Sequence, residues 1–520
     1  MKKVALFLGA GAECSYGLPS GGKFALDIFR MNTSKDKDSL KNQLKNVDKQ
    51  SPYSSWLPDD FENKKLTAFT KGQYDSIVKG SLENKRGLII NYLRHFDENV
   101  NVIVEGLYKQ GLDIDKIFEE VLGVEIGKFN YGQEIKLNHM LGADMNEIFR
   151  TNYFSAFLRL IQIDNVSKEF NKNIKNITRT ILELLIGSLG EELIHRLNDG
   201  VFEKSPDTID LFDDLGAVFS LDYSNTGMRG LELLIENEEK NIFEITNNEE
   251  VILQFGMLIL EDIFSRALDY QTLIDSNWRY IYNPKTDWGK FSKIIIFLYT
   301  VRRYINFQAD KNKEKIAQGN GYYHDILKLE DDYELVAVGT TNYNSFIEDI
   351  IGKEVFYLNG SVKDYYDPYL NKIVTEKENE KKKHIIVPFL FTQSGIKPLT
   401  SVKMSARYVN LFNRLMEADI ICIVGFGFNS DDGHINGMFR ELIEDYNKTI
   451  VILHYTEENN NSIRNIKKEY QKKLRLDSVK GLNIILVDRN RNDIIRNNIW
   501  YRSLENEEAI DLEYPLAFTK

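Results

Sequence analysis

A short apolar run, Val4 to Leu8, leads straight into Gly9-Ala10-Gly11, and nothing like it recurs until residue 335. Continuous hydrophobics of this length read as a strand buried on both faces, which means a parallel strand inside an α/β sheet. A parallel strand cannot fold without its neighbours. They are Leu335–Val338, Val355–Leu358, Ile420–Val424, Thr449–Leu453 and Asn483–Val487. Helical patterns such as SFIEDIIG and RYVNLFNRLMEAD separate several of them, which predicts a doubly wound, Rossmann-like parallel sheet. The remaining problem for the chain is to bring its first strand beside strands more than half its length away.

The intervening stretch has a different character. Leu112–Gly123, Thr178–Leu197 and Glu249–Leu268 repeat apolar residues at i, i+3, i+4 and i+7, the mark of amphipathic helices. The reading is therefore residues 1–30 plus 331–490 as the sheet domain, 31–330 as a large helical insertion, and 491–520 as a C-terminal extension. Nine prolines in 520 residues suit such a helix-rich body. Asp310–Gly321, Glu376–Lys383 and Glu457–Asn461 read as polar loops.

Composition removes several functions. Lys and Arg number 66 against 78 Asp and Glu, a net charge of −12, which disfavours direct binding to nucleic acid or an anionic membrane. Two cysteines, Cys14 and Cys422, allow neither a disulfide framework nor a four-thiolate zinc site. No apolar run is long enough to span a bilayer, so a cytoplasmic protein is expected.

The chemistry sits at strand ends, where ligands of open α/β sheets collect. Gly9-Ala10-Gly11 follows the first strand and lets an anion approach backbone N–H groups; main-chain packing explains such a turn equally well. The full dinucleotide fingerprint is missing, because Cys14 stands three positions after Gly11, and no Gly-Lys-Ser/Thr follows for a P-loop. Thr340-Thr341-Asn342-Tyr343-Asn344 ends the second strand, Asn359-Gly360-Ser361 the third, and Gly425-Phe426-Gly427-Phe428-Asn429 the fourth. Amide side chains clustered there can donate to and accept from ribose hydroxyls or a carboxamide.

Together GAGAECSYGLP (Gly9 to Pro19), TTNYNSFIE and GFGFNSDDGHIN resemble the sirtuin superfamily, in particular the sirtuin-like NAD-cleaving effectors of bacterial anti-phage defence. The resemblance covers the N-terminal stretch and roughly Glu334 to His454. It implies an NAD hydrolase that releases nicotinamide, with NAD as substrate and no zinc. It also implies a homo-oligomer held inactive until a partner of the same defence system, an ATPase or nucleotide-processing protein, engages it. Asn342 would sit at the nicotinamide ribose, Gly9 to Gly11 at the pyrophosphate, and Gly425 and Phe426 beside the adenosine half. Glu13, Pro19, Thr340, Thr341, Asn344, Gly360 and Ser361 would complete the cofactor shell.

Two departures bear on the chemistry. The catalytic histidine that sirtuins carry after the Asn motif is Asn359 here, and the motif's aspartate is Asn344. Three readings stay open: His434 or Glu13 replaces the base, cleavage runs without a strong base, or the site binds a nucleotide without turnover. A deacylase is disfavoured, since the paired CxxC units are missing and Pro19-Ser20-Gly21-Gly22 replaces the family's Pro-Asp-Phe-Arg. Among the other candidates, Phe426 and Phe428 are placed to stack on a base and Cys14 reads as a small buried residue. His324 reads as solvent-facing and His384 as a loop-edge residue. His95, His139 and His195 fall in helical patterns, and His454 ends a strand.

Overall fold

The structure, a computed structural model, describes residues 1–19, 21–128, 147–198, 208–210, 220–222, 228–236, 241–268, 278–390, 401–429, 432–456 and 462–505. Ser20, His139, Asp431, Glu457–Asn461 and residues 506–520 lie outside them. The chain forms two compact units.

The first unit comprises Met1–Ser20, Met31–Phe69 and Gln271–Lys520. Among the described residues its main sheet has eight strands: β1 (Lys3–Leu8), β2 (Glu334–Thr340), β3 (Phe356–Tyr357), β4 (Ile420–Val424), β5 (Ile450–Tyr455), β6 (Leu482–Val487), β7 (Asn492–Asp493) and β8 (Asn498–Ile499). Their order across the sheet is β8-β7-β6-β5-β4-β1-β2-β3. The six from β6 to β3 pair parallel, while β7 pairs antiparallel with β6 and β8 antiparallel with β7. This is the doubly wound arrangement, with strand order reversing between β1 and β4.

Alternation along the strands accounts for the continuous runs. Val4, Leu6 and Leu8 face one core with Cys422, Val424, Val451 and Leu453, while Ala5 and Phe7 face the other with Ile421, Ile423, Ile450 and Ile452. Both faces are buried, so neither parity carries polar residues. The helix Tyr322–Leu329 and Trp500 close the first core. Leu411 and Leu415 of Val402–Glu417, with Phe439 of Gly433–Glu444, close the second. A small antiparallel sheet of Tyr365–Asp367, Lys372–Val374 and Val387–Pro388 lies in the same unit, as do the helices Ser34–Asn46 and Trp288–Lys311.

Among its described residues, the second unit, Gly21–Arg30 with Thr70–Tyr270, is mainly helical, with a short hairpin of Thr208–Asp210 and Ser220–Asp222. Phe118 of Ile114–Leu122, Phe157 of Asn152–Ile161 and Phe255 of Asn248–Ala267 interlock edge-on or stacked in its core. The boundaries run differently from the sequence division. Residues 31–69 and 271–330 group with the sheet, and the first helix, Gly21–Arg30, groups with the helical unit. The polar stretches differ too. Asp310–Gly321 holds the end of one helix and all of Lys313–Ala317, while Glu376–Asn379 is a helical turn closed by a Thr375/Glu378 capping box. Capping satisfies the orphan amides that a charge count does not reveal.

Candidate functional site

At the carboxyl end of β1 the chain enters a 3-10 turn, Ala10–Tyr16, which places Glu13 inward with only 6% of its surface exposed. Asn344 donates from Nδ2 to Glu13 Oε2 at 2.8 Å, and the Tyr323 hydroxyl donates to Oε1 at 2.9 Å. Asn342 donates from Nδ2 to the Gly9 carbonyl at 2.9 Å and to Tyr323 Oη at 3.0 Å. Thr340 orders this end of β2. Its hydroxyl donates to the Leu8 carbonyl and accepts from the Asn342 N–H, each at 2.9 Å. Burial pushes the Glu13 carboxyl up to about 7, against the lowering effect of the Asn344 and Tyr323 hydrogen bonds. A carboxyl that titrates near neutrality, fixed by two donors, can take or give a proton at working pH.

Of the motif residues, Gly9, Glu13, Thr340, Asn342 and Asn344 thus form one hydrogen-bonded group. Thr341 joins it at the margin, its N–H donating to the Leu8 carbonyl and its own carbonyl accepting from Asn359 Nδ2 at 3.3 Å. Asn359 and Ser361 are buried. Ser361 donates to Asp364, which also holds Arg407 in an ion pair at 2.7 Å. Gly360 has φ +79°, and a Cβ there would lie 1.9 Å from the Phe389 carbonyl. His434 is set against Tyr408, with Nε2 2.9 Å from that hydroxyl, which reaches on to the Leu358 carbonyl. Ala10 is exposed and Pro19 half-buried.

The glycine turn departs from the anion-cradle reading. The Gly9 N–H donates to the Val424 carbonyl and the Gly11 N–H to the Gly425 carbonyl, both at 2.9 Å. A Cβ on Gly9 would lie 2.5 Å from Gly425 O, and one on Gly425 would lie 2.3 Å from the Ala12 nitrogen. These glycines let the ends of β1 and β4 touch at the switch point, and the Gly9 and Gly11 amides are spent on that contact. Phe426 and Phe428 do not offer rings to a base. Both are buried and pack edge-on in the core, Phe426 against Phe7 and Phe428 against Phe439. Phe428 also holds a left-handed φ of +51°, uncommon for a bulky residue.

Cys14 and His324 differ as well. Cys14 is exposed rather than buried. His324 is half-buried with Nδ1 3.0 Å from the Tyr16 hydroxyl, and His384 pairs with Asp367 at 2.7 Å while stacking on Tyr53. His95 is exposed and its Nδ1 meets the Asn91 carbonyl; His454 meets the Tyr470 hydroxyl. His195 falls in the helix Lys168–Asn198. Sequence reasoning missed Tyr323. It lies in a helix far from any motif, and the buried aromatic pattern of YYHDIL was its only signal.

A cleft of about 920 Å³ elsewhere in the first unit is lined by Tyr299, Arg302, Asn306, Phe307, Glu376 and His384 among others. Its arginines are already engaged, Arg303 with Asp36 and Arg302 with the Val362 carbonyl. Among the described residues no helix is long and apolar enough to cross a membrane. No protein-family model, curated protein or solved structure matches this chain.

Proposed function

We propose that this chain is a sirtuin-like NAD+ hydrolase that cleaves the nicotinamide–ribose bond, with Glu13 in the role the missing histidine would fill. The observation that carries the proposal is the buried Glu13 carboxyl, bonded to Asn344 directly and to Asn342 through Tyr323, which burial pushes up to about 7. The C1′–N bond breaks with its electron pair moving to the nicotinamide nitrogen, which loses its positive charge. Water adds to C1′ of the oxocarbenium-like state and its proton passes to Glu13. Nicotinamide and ADP-ribose leave, and Glu13 returns the proton to solvent. Because the leaving group is already activated, positioning and negative charge near C1′ are what the protein adds.

Glu13, Asn342 and Asn344 are each less than a tenth exposed, so substrate reaches them only after this shell parts. That suits an anti-phage effector that stays off until a partner protein of its system, an ATPase or nucleotide-processing protein, engages an oligomer of it. A catalytically silent nucleotide sensor is the second reading. It is favoured by the spent amides of Gly9 and Gly11 and by Asn359 holding the Thr341 carbonyl.

The test is incubation with NAD, alone and with the proteins encoded beside its gene, with nicotinamide and ADP-ribose followed by chromatography. Release that falls by about 10²–10⁴ in Glu13→Gln, as for loss of a general base, and vanishes in Asn342→Ala supports the hydrolase. NAD binding without release in every mixture would leave the sensor.

A further inference from the structure

The side-chain amide of Asn342 has only one orientation consistent with its surroundings. The Gly9 carbonyl can only accept, so Nδ2 must face it, and its second hydrogen goes to Tyr323 Oη. With that oxygen accepting, the single Tyr323 hydroxyl hydrogen is left for Glu13 Oε1. Both Glu13 oxygens therefore receive hydrogen bonds, from Tyr323 and Asn344, the arrangement of an ionised carboxylate. Asn342 Oδ1 remains as the one polar side-chain atom of this residue with no hydrogen bond among the described residues.

Tyr323 is itself pinned. Its backbone N–H donates to Tyr16 Oη at 2.9 Å, and its ring lies 5.3 Å from that of Tyr16. Two residues on, Asp325 accepts from Arg491 Nε at 2.6 Å and from Trp500 Nε1 at 3.0 Å, all three residues being buried. The helix carrying Tyr323 is thus fixed within its first turn, at Tyr323 and Asp325. Burial and the Glu13 charge push the phenol well above its usual value, so it donates without losing its proton.

We propose that Tyr323 is a positioning residue that couples the protonation of Glu13 to the orientation of Asn342, so that Oδ1 is presented as an acceptor for a hydroxyl-bearing ligand such as a ribose or a water. When Glu13 takes a proton on Oε1, the Tyr323 hydrogen loses its acceptor and turns away, and the lone pair that Asn342 donates to turns with it. Ionised Glu13 and a correctly aimed Asn342 then occur together. Only the reaction that this pair serves rests on the hydrolase reading; the coupling itself does not.

The experiment measures the Glu13 midpoint directly, as the protonated-carboxyl stretch in infrared pH-difference spectra of the whole chain, assigned by its loss in Glu13→Gln. Tyr323→Phe keeps the ring and removes one donor to the carboxylate, so the midpoint should rise by about one pH unit. 3-Fluorotyrosine at 323, a stronger donor in the same ring, should lower it and keeps the test available if the phenylalanine variant folds poorly. An unmoved midpoint in both variants overturns the proposal, even if NAD cleavage is found. A moved midpoint without NAD cleavage upholds the coupling and rejects only the hydrolase. Where cleavage occurs, the acid limb of its pH profile should move with the midpoint.

Discussion

Asn344 donates to Glu13 Oε2 over 2.8 Å, so the position where the sirtuin resemblance expects an aspartate carries a residue able to donate to a buried carboxylate. An acid there would face another acid. Asn344→Asp should therefore lose about 2–4 kcal/mol at pH 8, where a buried like-charge pair replaces a hydrogen bond. Much of that loss should return near pH 5, where the two carboxyls can share a proton. Denaturant unfolding at the two pH values checks this, and an equal loss at both would contradict it.

Glu13 also gives the native protein a pH signature. In the unfolded chain its carboxyl ionises near 4.5; in the fold it holds its proton up to about 7. Between those values the native state binds more protons than the unfolded one, so stability falls as pH rises. The contribution is fully present below about 4.5 and gone above about 7, and it amounts to on the order of 3 kcal/mol. Glu13→Gln should flatten this part of the stability–pH curve. The comparison needs urea titrations of both proteins from pH 4 to 8.

The glycine contact at the switch point should tolerate no side chain. In Gly9→Ala the new methyl meets Gly425 O and Phe426 Cα, and in Gly425→Ala it meets Ala12 N at a φ of +64°. Backbone cannot swing aside as a side chain can, so each should cost at least about 1–3 kcal/mol. Gly106, inside the helix Phe96–Tyr108 with nothing within 4 Å of its would-be Cβ, is the control. There alanine should stabilise by about 0.5–1 kcal/mol. Thermal melts of the three variants separate the two behaviours.

Asp325 holds Arg491 and Trp500 in a buried cluster. Asp325→Ala would leave the guanidinium without its charge partner and cost about 3–5 kcal/mol. Loss of midpoint in urea together with a changed Trp500 fluorescence is the expected result. A variant as stable as the parent would show the cluster to be dispensable.

The sheet was legible because burial on both faces forces hydrophobics at every position: β1, β2, β4, β5 and β6 appear as uninterrupted runs at nearly their observed bounds. The unit boundaries were not, because amphipathic helices such as Ser34–Asn46 and Trp288–Lys311 look alike whichever unit they pack in. Strand-end motifs pointed to Glu13, Asn342 and Asn344 but not to what joins them. Tyr323 lies 310 residues from Glu13 along the chain, in a helix with no motif, and only the fold brings its hydroxyl to the carboxylate. The glycines were read by chemical type, and the same type serves close main-chain contact as well as anion approach.

An interior strand of the sheet is also its earliest made. Lys3–Leu8 leaves the ribosome about 330 residues before Glu334 and about 415 before Ile420, the partners on its two edges. At ~5–20 residues per second, that leaves its edges open for roughly 15–80 s. For that time a strand apolar from Val4 to Leu8 waits with both hydrogen-bonding edges unclaimed, a liability for pairing with another nascent copy. Yield in cells should therefore depend on translation speed and on trigger-type holding chaperones. No amount of equilibrium stability in the finished sheet would compensate for a strand lost to a neighbour before its own partners exist.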